Sequence, residues 1–204
     1  MSVNTVGILN YGLGNLLSIT RAFEKIGCMV THVDSPEQFH QCTHLVLPGV
    51  GAFHSGMKKL DQYGFIEPLK QWHNDSKPLL GICLGMQMML SKSEEFGEHE
   101  GLGLIEGVVS PIKSLYKEDI SHKVPHIGWT DVISTRGSEK IGHFYLVHSY
   151  ACFTDNPEQT SAIYKHKCQS VPSIVRSKNT IGVQFHPEKS REDGLAFLAK
   201  FIIL

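Results

Sequence analysis

Cys83 lies in the run Gly81-Ile82-Cys83-Leu84-Gly85-Met86-Gln87, and His186-Pro187-Glu188 lies far downstream. Together they supply a thiol nucleophile, an imidazole base and a carboxylate to orient the base. Gly-x-Cys-x-Gly is the thiol counterpart of the Gly-x-Ser-x-Gly elbow, in which a sharp strand-to-helix turn lifts the nucleophile above a sheet. A free thiol with a pKa near about 8.5 is only a few per cent thiolate at neutral pH. A neighbouring histidine raises that fraction and can afterwards protonate a leaving amine. The chemistry these residues predict is thiol acyl transfer.

The surrounding elements must place Cys83 correctly. Lys77 to Ile82 reads as a buried strand, apolar on both faces as parallel strands are, and Leu84 to Leu90 as a short helix of good helix formers. Cys83 then falls between them, where amides at the helix start favour a thiolate and an oxyanion. Thr180 to Phe185 reads as another strand. If the extended chain continues past it, His186 and Glu188 share one side, with Pro187 keeping the intervening backbone extended. The carboxylate then fixes the imidazole tautomer and turns the other nitrogen towards the thiol.

Earlier in the chain, Val6 to Asn10 is a first strand, followed by a turn over Tyr11-Gly12-Leu13-Gly14. A helix from Asn15 to Ile26 buries Leu16, Ile19, Phe23 and Ile26, and Gly27 ends it. Strands at Cys28 to Val33 and Thr43 to Leu47 complete a strand-helix-strand opening, which implies right-handed crossovers and a parallel sheet. The third strand runs into Pro48-Gly49-Val50-Gly51-Ala52-Phe53. Glycine lets backbone approach a ligand closely, so Val50 and Gly51 are expected to complete an oxyanion hole opposite Leu84. Helical segments follow near Phe53 to Asp61 and Phe65 to His73.

Beyond residue 100 the pattern changes to short strands: Gly107 to Ile112, Val132 to Ser134, His143 to Tyr150, Ser161 to Tyr164, Ser173 to Arg176 and Thr180 to Phe185. A final helix from Glu192 to Ile203 is expected to bury Leu195, Leu198, Ala199 and Ile202. The expected architecture is three-layer α/β: a mostly parallel central sheet with an antiparallel extension, flavodoxin-like, in a single domain over residues 1–204.

Bulk composition bounds the partners. With 204 residues, 41% of them hydrophobic and a net charge of -1, the chain can bury a sizeable core and has no electrostatic reason to seek nucleic acid or an anionic membrane. Five cysteines form no Cys-x-x-Cys pair, which argues against a disulfide framework or zinc ribbon. Cys28, Cys42, Cys152 and Cys168 lack the context of Cys83 and read as small buried hydrophobes. No leader or membrane span is apparent at the sequence level, so a cytoplasmic location is expected. His122 and His126 flank Pro125, so they are not expected to share a helical face as a zinc motif needs, and no metal is expected. Gly12-x-Gly14 after a strand, with Asp34 further on, invites a dinucleotide site. Leu17 stands where a third small residue is needed for close helix-strand packing, which argues against it.

The elbow and His186-Pro187-Glu188 resemble the class I glutamine amidotransferase family, whose glutaminases use a Cys-His-Glu triad. Further motifs extend the resemblance along the chain: Asn10-Tyr11-Gly12-Leu13-Gly14-Asn15, Pro48 to Phe53, Val124-Pro125-His126-Ile127-Gly128-Trp129, Val147-His148-Ser149-Tyr150 and His186 to Ser190. They look like the branch that serves histidine biosynthesis, although Thr130 replaces the usual Asn after Gly-Trp. The resemblance implies that Cys83 attacks the carboxamide of L-glutamine, that His186 handles protons and that Glu188 orients it. It places Gln87, His148, Ser149 and Tyr150 around the amino-acid end of the substrate. It also implies a heterodimer with a (β/α)8 barrel cyclase that receives the ammonia, with Asn15, Tyr145 and Lys189 near the docking face, and it calls for no cofactor. A paralogue feeding another synthase, such as one amidating a surface sugar, or a stand-alone thiol hydrolase, is the alternative.

Overall fold

The computed structural model describes residues 4–116 and 124–204. His122 lies outside the described residues. The first half alternates strands and helices: β1 (Thr5–Leu9), α1 (Leu16–Lys25), β2 (Met29–Val33), β3 (His44–Leu47), α2 (Phe53–Gln62), α3 (Ile66–Asn74), β4 (Leu79–Ile82) and α4 (Leu84–Met88). The second half is dominated by strands: β5 (Leu90–Ser93), β6 (His99–Glu100), β7 (Ile105–Pro111), β8 (His126–Ser134), β9 (Lys140–His148), β10 (Tyr150–Thr154), β11 (Thr160–His166), β12 (Gln169–Ser177) and β13 (Thr180–Val183). Helix α5 (Arg191–Phe201) closes the chain.

Nine strands form one sheet in the order β2-β1-β3-β4-β13-β12-β11-β8-β9. Pairing is parallel from β2 through β13 and antiparallel from β13 to β9. The inner strands β3, β4 and β13 are buried at every residue, as strands covered on both faces must be. Apolar residues pack on the two sides as separate clusters. One joins the sheet to Phe23 of α1 and Phe197, Leu198 and Phe201 of α5. The other joins it to Phe53 and Leu60 of α2 and to Leu69 and Trp72 of α3. Each such side chain, fully buried, stabilises the fold by about 1.5–3 kcal/mol.

Several expectations need correction. The helix after Cys83 is only one turn long, because Leu90 to Ser93 instead joins a second sheet of four strands, in the order β10-β7-β5-β6. That sheet was not foreseen. The strand expected over His143 to Tyr150 is divided at Ser149, where the chain leaves the large sheet as β9 and enters the small one as β10. On α5 the buried residues are Gly194, Phe197, Leu198 and Phe201, so the stripe is rotated from the one expected and Ala199 is not in it. Gly194 sets that rotation: a Cβ there would lie 1.9 Å from the Pro187 carbonyl oxygen, so the helix seats its glycine on the preceding turn. Leu17 is 59% exposed and turned to solvent, so it does not obstruct helix-strand packing. Of the cysteines beyond Cys83, only Cys152 is buried, and Cys168 is exposed.

Candidate active site

Parallel register brings the distant motifs together. Ile82 at the end of β4 pairs with Val183 at the end of β13, and the Cys83 amide donates to the Val183 carbonyl at 2.8 Å. Cys83 and the Gln184-Phe185-His186 segment therefore emerge side by side at the same sheet edge. The antiparallel half of the sheet curls back over this edge. His186 N–H donates to the Tyr145 carbonyl of β9 at 2.9 Å, and Phe144 stacks on Phe185 with centroids 3.9 Å apart. This curl carries Val147, His148 and Ser149 to the nucleophile.

Cys83 has φ 54° and ψ -108°, a conformation that costs an L-residue on the order of 1–3 kcal/mol and is typical of functional turns. The neighbouring glycines make the turn possible by close packing. A Cβ on Gly85 would stand 1.9 Å from the Leu47 carbonyl oxygen, and one on Gly81 would meet the Met89 side chain at 2.6 Å. Cys83 is 8% exposed at the bottom of the cleft.

His186 Nδ1 lies 2.8 Å from Glu188 Oε1, and both side chains are almost fully buried. The connection differs from the one expected: Pro187–Lys189 is a turn of 3-10 helix, not extended chain. The turn folds the carboxylate back onto the imidazole across Pro187. Burial by itself pushes the His186 pKa down, but hydrogen bonds to Cys83 and Glu188 outweigh it and raise the pKa to about 9. The imidazole is thus held ready to carry a proton beside the thiol.

A cleft of about 290 Å³ opens over Cys83 and His186. Val50, Gly51, Leu84, Gln87, His148, Ser149 and Tyr150 all line it. The structure brings these predicted residues together. Val147, which opens the His148-Ser149-Tyr150 motif but was given no role, lines it as well, and so does Glu95, which sequence reasoning missed. Glu95 sits in an acidic loop with no local signal of a site, yet its carboxylate accepts from the Phe53 amide at 2.5 Å and is pinned at the cleft wall.

Two further residues support the cleft from behind. Gln184, fully buried, directs its Nε2 to Cys83 Sγ at 3.7 Å, and its Oε1 accepts from Gln87 at 3.2 Å. A buried amide two residues before His186, just past the end of β13, was the available signal. Tyr164 bonds His148 Nε2 at 3.0 Å, while His148 Nδ1 pairs with the Tyr150 carbonyl at 2.7 Å. Nδ1–H donates to the carbonyl and Nε2 accepts from the phenol, which requires the neutral ring. Burial agrees, pushing the His148 pKa down to about 3 against the raising effect of the Tyr150 carbonyl. Behind Gly51, the fully buried Tyr11 hydroxyl donates to the Pro48 carbonyl and tethers the glycine loop.

Asn15 does not enter the cleft. Its side chain caps α1 by accepting from the Ser18 amide at 3.2 Å, and it shares a narrow recess behind the site with Gly49, His186, Glu188 and Lys189. Lys189 Nζ lies 5.9 Å from the Tyr145 ring. Next to Tyr145, Ile127 and Trp129 of β8 are exposed at 60% and 39%, and Arg191 stacks on the Trp129 ring at 5.2 Å. Strand alternation sends Thr130 to the other face, so the departure at that position does not alter this exposed patch. His126 packs behind the cleft, stacking on Tyr164 and meeting His148 edge-on.

An elbow thiol, a histidine held by a carboxylate and a small cleft at the parallel half of a mixed α/β sheet define an enzyme of thiol acyl transfer. The family model for glutamine amidotransferase class-I matches residues 8–204. A curated relative, imidazole glycerol phosphate synthase subunit HisH 1 of Legionella pneumophila, is 46% identical, with 98% of this chain and 99% of the relative covered. The subunit HisH of Sulfurimonas denitrificans is 42% identical with 96% of each chain covered. The chain belongs to the class-I glutamine amidotransferase family. Solved structures share the fold at lower identity: a glutamine amidotransferase at 19% and TM-score 0.72, covering 98% of this chain and 99% of that one, and PurLQS from Thermotoga maritima at 18% and TM-score 0.73, covering 99% and 98%.

Proposed function

We propose that the chain is the glutaminase subunit of an imidazole glycerol phosphate synthase, acting in histidine biosynthesis as one amidotransferase domain over residues 1–204. The observation that carries this reading is the convergence of Cys83, His186 and Glu188 in one cleft with Gln87, Glu95 and the His148-Ser149-Tyr150 corner. Near full-length similarity to subunits of that name directs the choice of synthase.

The reaction follows from the placement of the groups. Cys83 Sγ, its proton passed to His186, attacks the side-chain carboxamide carbon of glutamine. The resulting oxyanion is taken by backbone amides at Gly51 and Leu84, with Val50 shaping the loop. His186 then protonates the departing nitrogen, the C–N bond breaks, and ammonia leaves a glutamyl thioester on Cys83. A water molecule, deprotonated by His186, attacks the thioester and releases glutamate and the thiol. Glu188 holds the imidazole throughout. Glu95, the carboxylate of the cleft, suits the substrate ammonium, and Gln87 with Ser149 and Tyr150 suits its amino-acid end.

Ammonia released into water would be protonated and lost, so the chain is expected to dock on its acceptor enzyme in the cytoplasm, a (β/α)8 barrel cyclase in this reading. The exposed patch around Tyr145, Lys189, Ile127 and Trp129, with Asn15 at its margin, adjoins the triad and supports docking there. The test is glutaminase turnover by the purified chain alone, with the candidate cyclase, and with the cyclase and its nucleotide ligand. Stimulation within a stable heterodimer is expected. A stable complex formed only with an unrelated synthase would move the assignment to a paralogue.

A further inference from the structure

At the opposite end of β13 from the cleft, beside its second residue Ile181, a separate recess of about 470 Å³ lies between the end of α5 and the antiparallel strands. Its floor is apolar, with Ile141, Ile174, Phe197 and Phe201. Four cations stand around it: Arg136, Arg176, Lys178 and Lys200. Glu158 stands at the rim as well, and Leu204 adds an apolar side chain. Among the described residues, however, none of the four cations takes part in an ion pair. Lys178 makes a long hydrogen bond to Asn74, at 3.5 Å.

This distribution is uneven for a chain whose net charge is -1. Desolvation by the recess wall, and then the charge of Arg136 beside it, hold the guanidinium of the surface-exposed Arg176 below its ordinary range. Two like charges at the mouth of a recess both attract an anion placed between them. Guanidinium groups meet phosphate oxygens in paired, planar geometry, and a cavity of this size suits a small organic molecule rather than a polypeptide.

We infer that this recess binds a small organic phosphate, with the phosphate between Arg136 and Arg176 and an aromatic or other apolar body over Ile141 and Phe197. Lys178 and Lys200 add positive field at the rim. The site is remote from Cys83 and independent of the glutaminase reading.

Adenosine monophosphate is a suitable probe because it joins a flat apolar ring to one phosphate. Calorimetric titration of the full chain should show saturable binding, with adenosine and inorganic phosphate each at least tenfold weaker than the joined molecule. The double substitution Arg136→Gln/Arg176→Gln, at exposed positions, should weaken the nucleotide about tenfold or more while the thermal midpoint stays near that of the parent. Lys58→Gln, a charge change elsewhere on the surface, should leave affinity unchanged. No measurable binding, equal binding by the double variant, or inorganic phosphate as tight as the nucleotide would each overturn the proposal.

Discussion

Glu188 Oε1 stands 2.8 Å from His186 Nδ1 across a single 3-10 turn, and the two side chains are only 2% and 4% exposed. The pair holds the imidazole with Nε2 towards Cys83. Glu188→Gln preserves shape but removes the charge, so glutamine-dependent kcat should fall about 10²–10³-fold with little change in KM. The proton affinity of His186 should fall with it. Because its folded pKa of about 9 is raised above the ordinary 6.5, the stability from this protonated histidine is fully present below about 6.5 and is lost as pH rises through about 9. Denaturant unfolding of parent and variant from pH 6 to 10 checks this: their difference should shrink as pH rises, and a constant difference would remove the charge argument.

Cys83→Ala should lower glutamine-dependent synthesis by the complex about 10³-fold or more. Synthesis from added ammonium salts should stay near the parent rate, because the partner's chemistry is untouched. Retained glutamine use would identify another nucleophile.

Gly85→Ala places a methyl group 1.9 Å from the Leu47 carbonyl, a backbone atom that cannot step aside. The cost should be about 3 kcal/mol of stability, with loss of turnover because the elbow must shift. Urea unfolding and a glutaminase assay measure the two effects.

Tyr164→Phe leaves His148 Nε2 buried without its 3.0 Å partner. Stability should drop by about 1–3 kcal/mol, and KM for glutamine should rise more than kcat falls. His148 is depressed to about 3 in the folded chain from an ordinary 6.5. Its contribution is therefore present above about 6.5 and lost as pH falls towards 3. An imidazole proton signal that titrates near 6 in the folded parent would contradict the burial argument.

Trp129→Ala removes a ring already 39% exposed, so stability should change by less than about 1 kcal/mol. Affinity for the cyclase should fall by about 2 kcal/mol if this ring anchors the docking patch, some 30-fold in Kd. Sedimentation or titration with the partner decides it.

Much of the first half was legible from local pattern. Leu16, Ile19 and Phe23 recur at helical spacing, and α1 extends over Leu16–Lys25 with Asn15 as its cap. The fully apolar run Leu79–Ile82 marked the inner strand β4, and glycine spacing marked the elbow. The second half was less legible. Leu90 to Ser93 has too few residues to show a period, and its strand state comes from pairing with β7. The division of the chain at Ser149 likewise depends on partners in two sheets.

The sequence by itself determined the reacting set, because a thiol between two glycines and a histidine two residues from a carboxylate carry their chemistry in their types and spacing. Tertiary structure alone decided how they meet. The curl that bonds His186 to Tyr145 and the recruitment of Gln184, Glu95 and Tyr164 rest on contacts between segments far apart in the chain. Such contacts leave no local period, because they are selected by packing in three dimensions and by the need to satisfy buried polar groups.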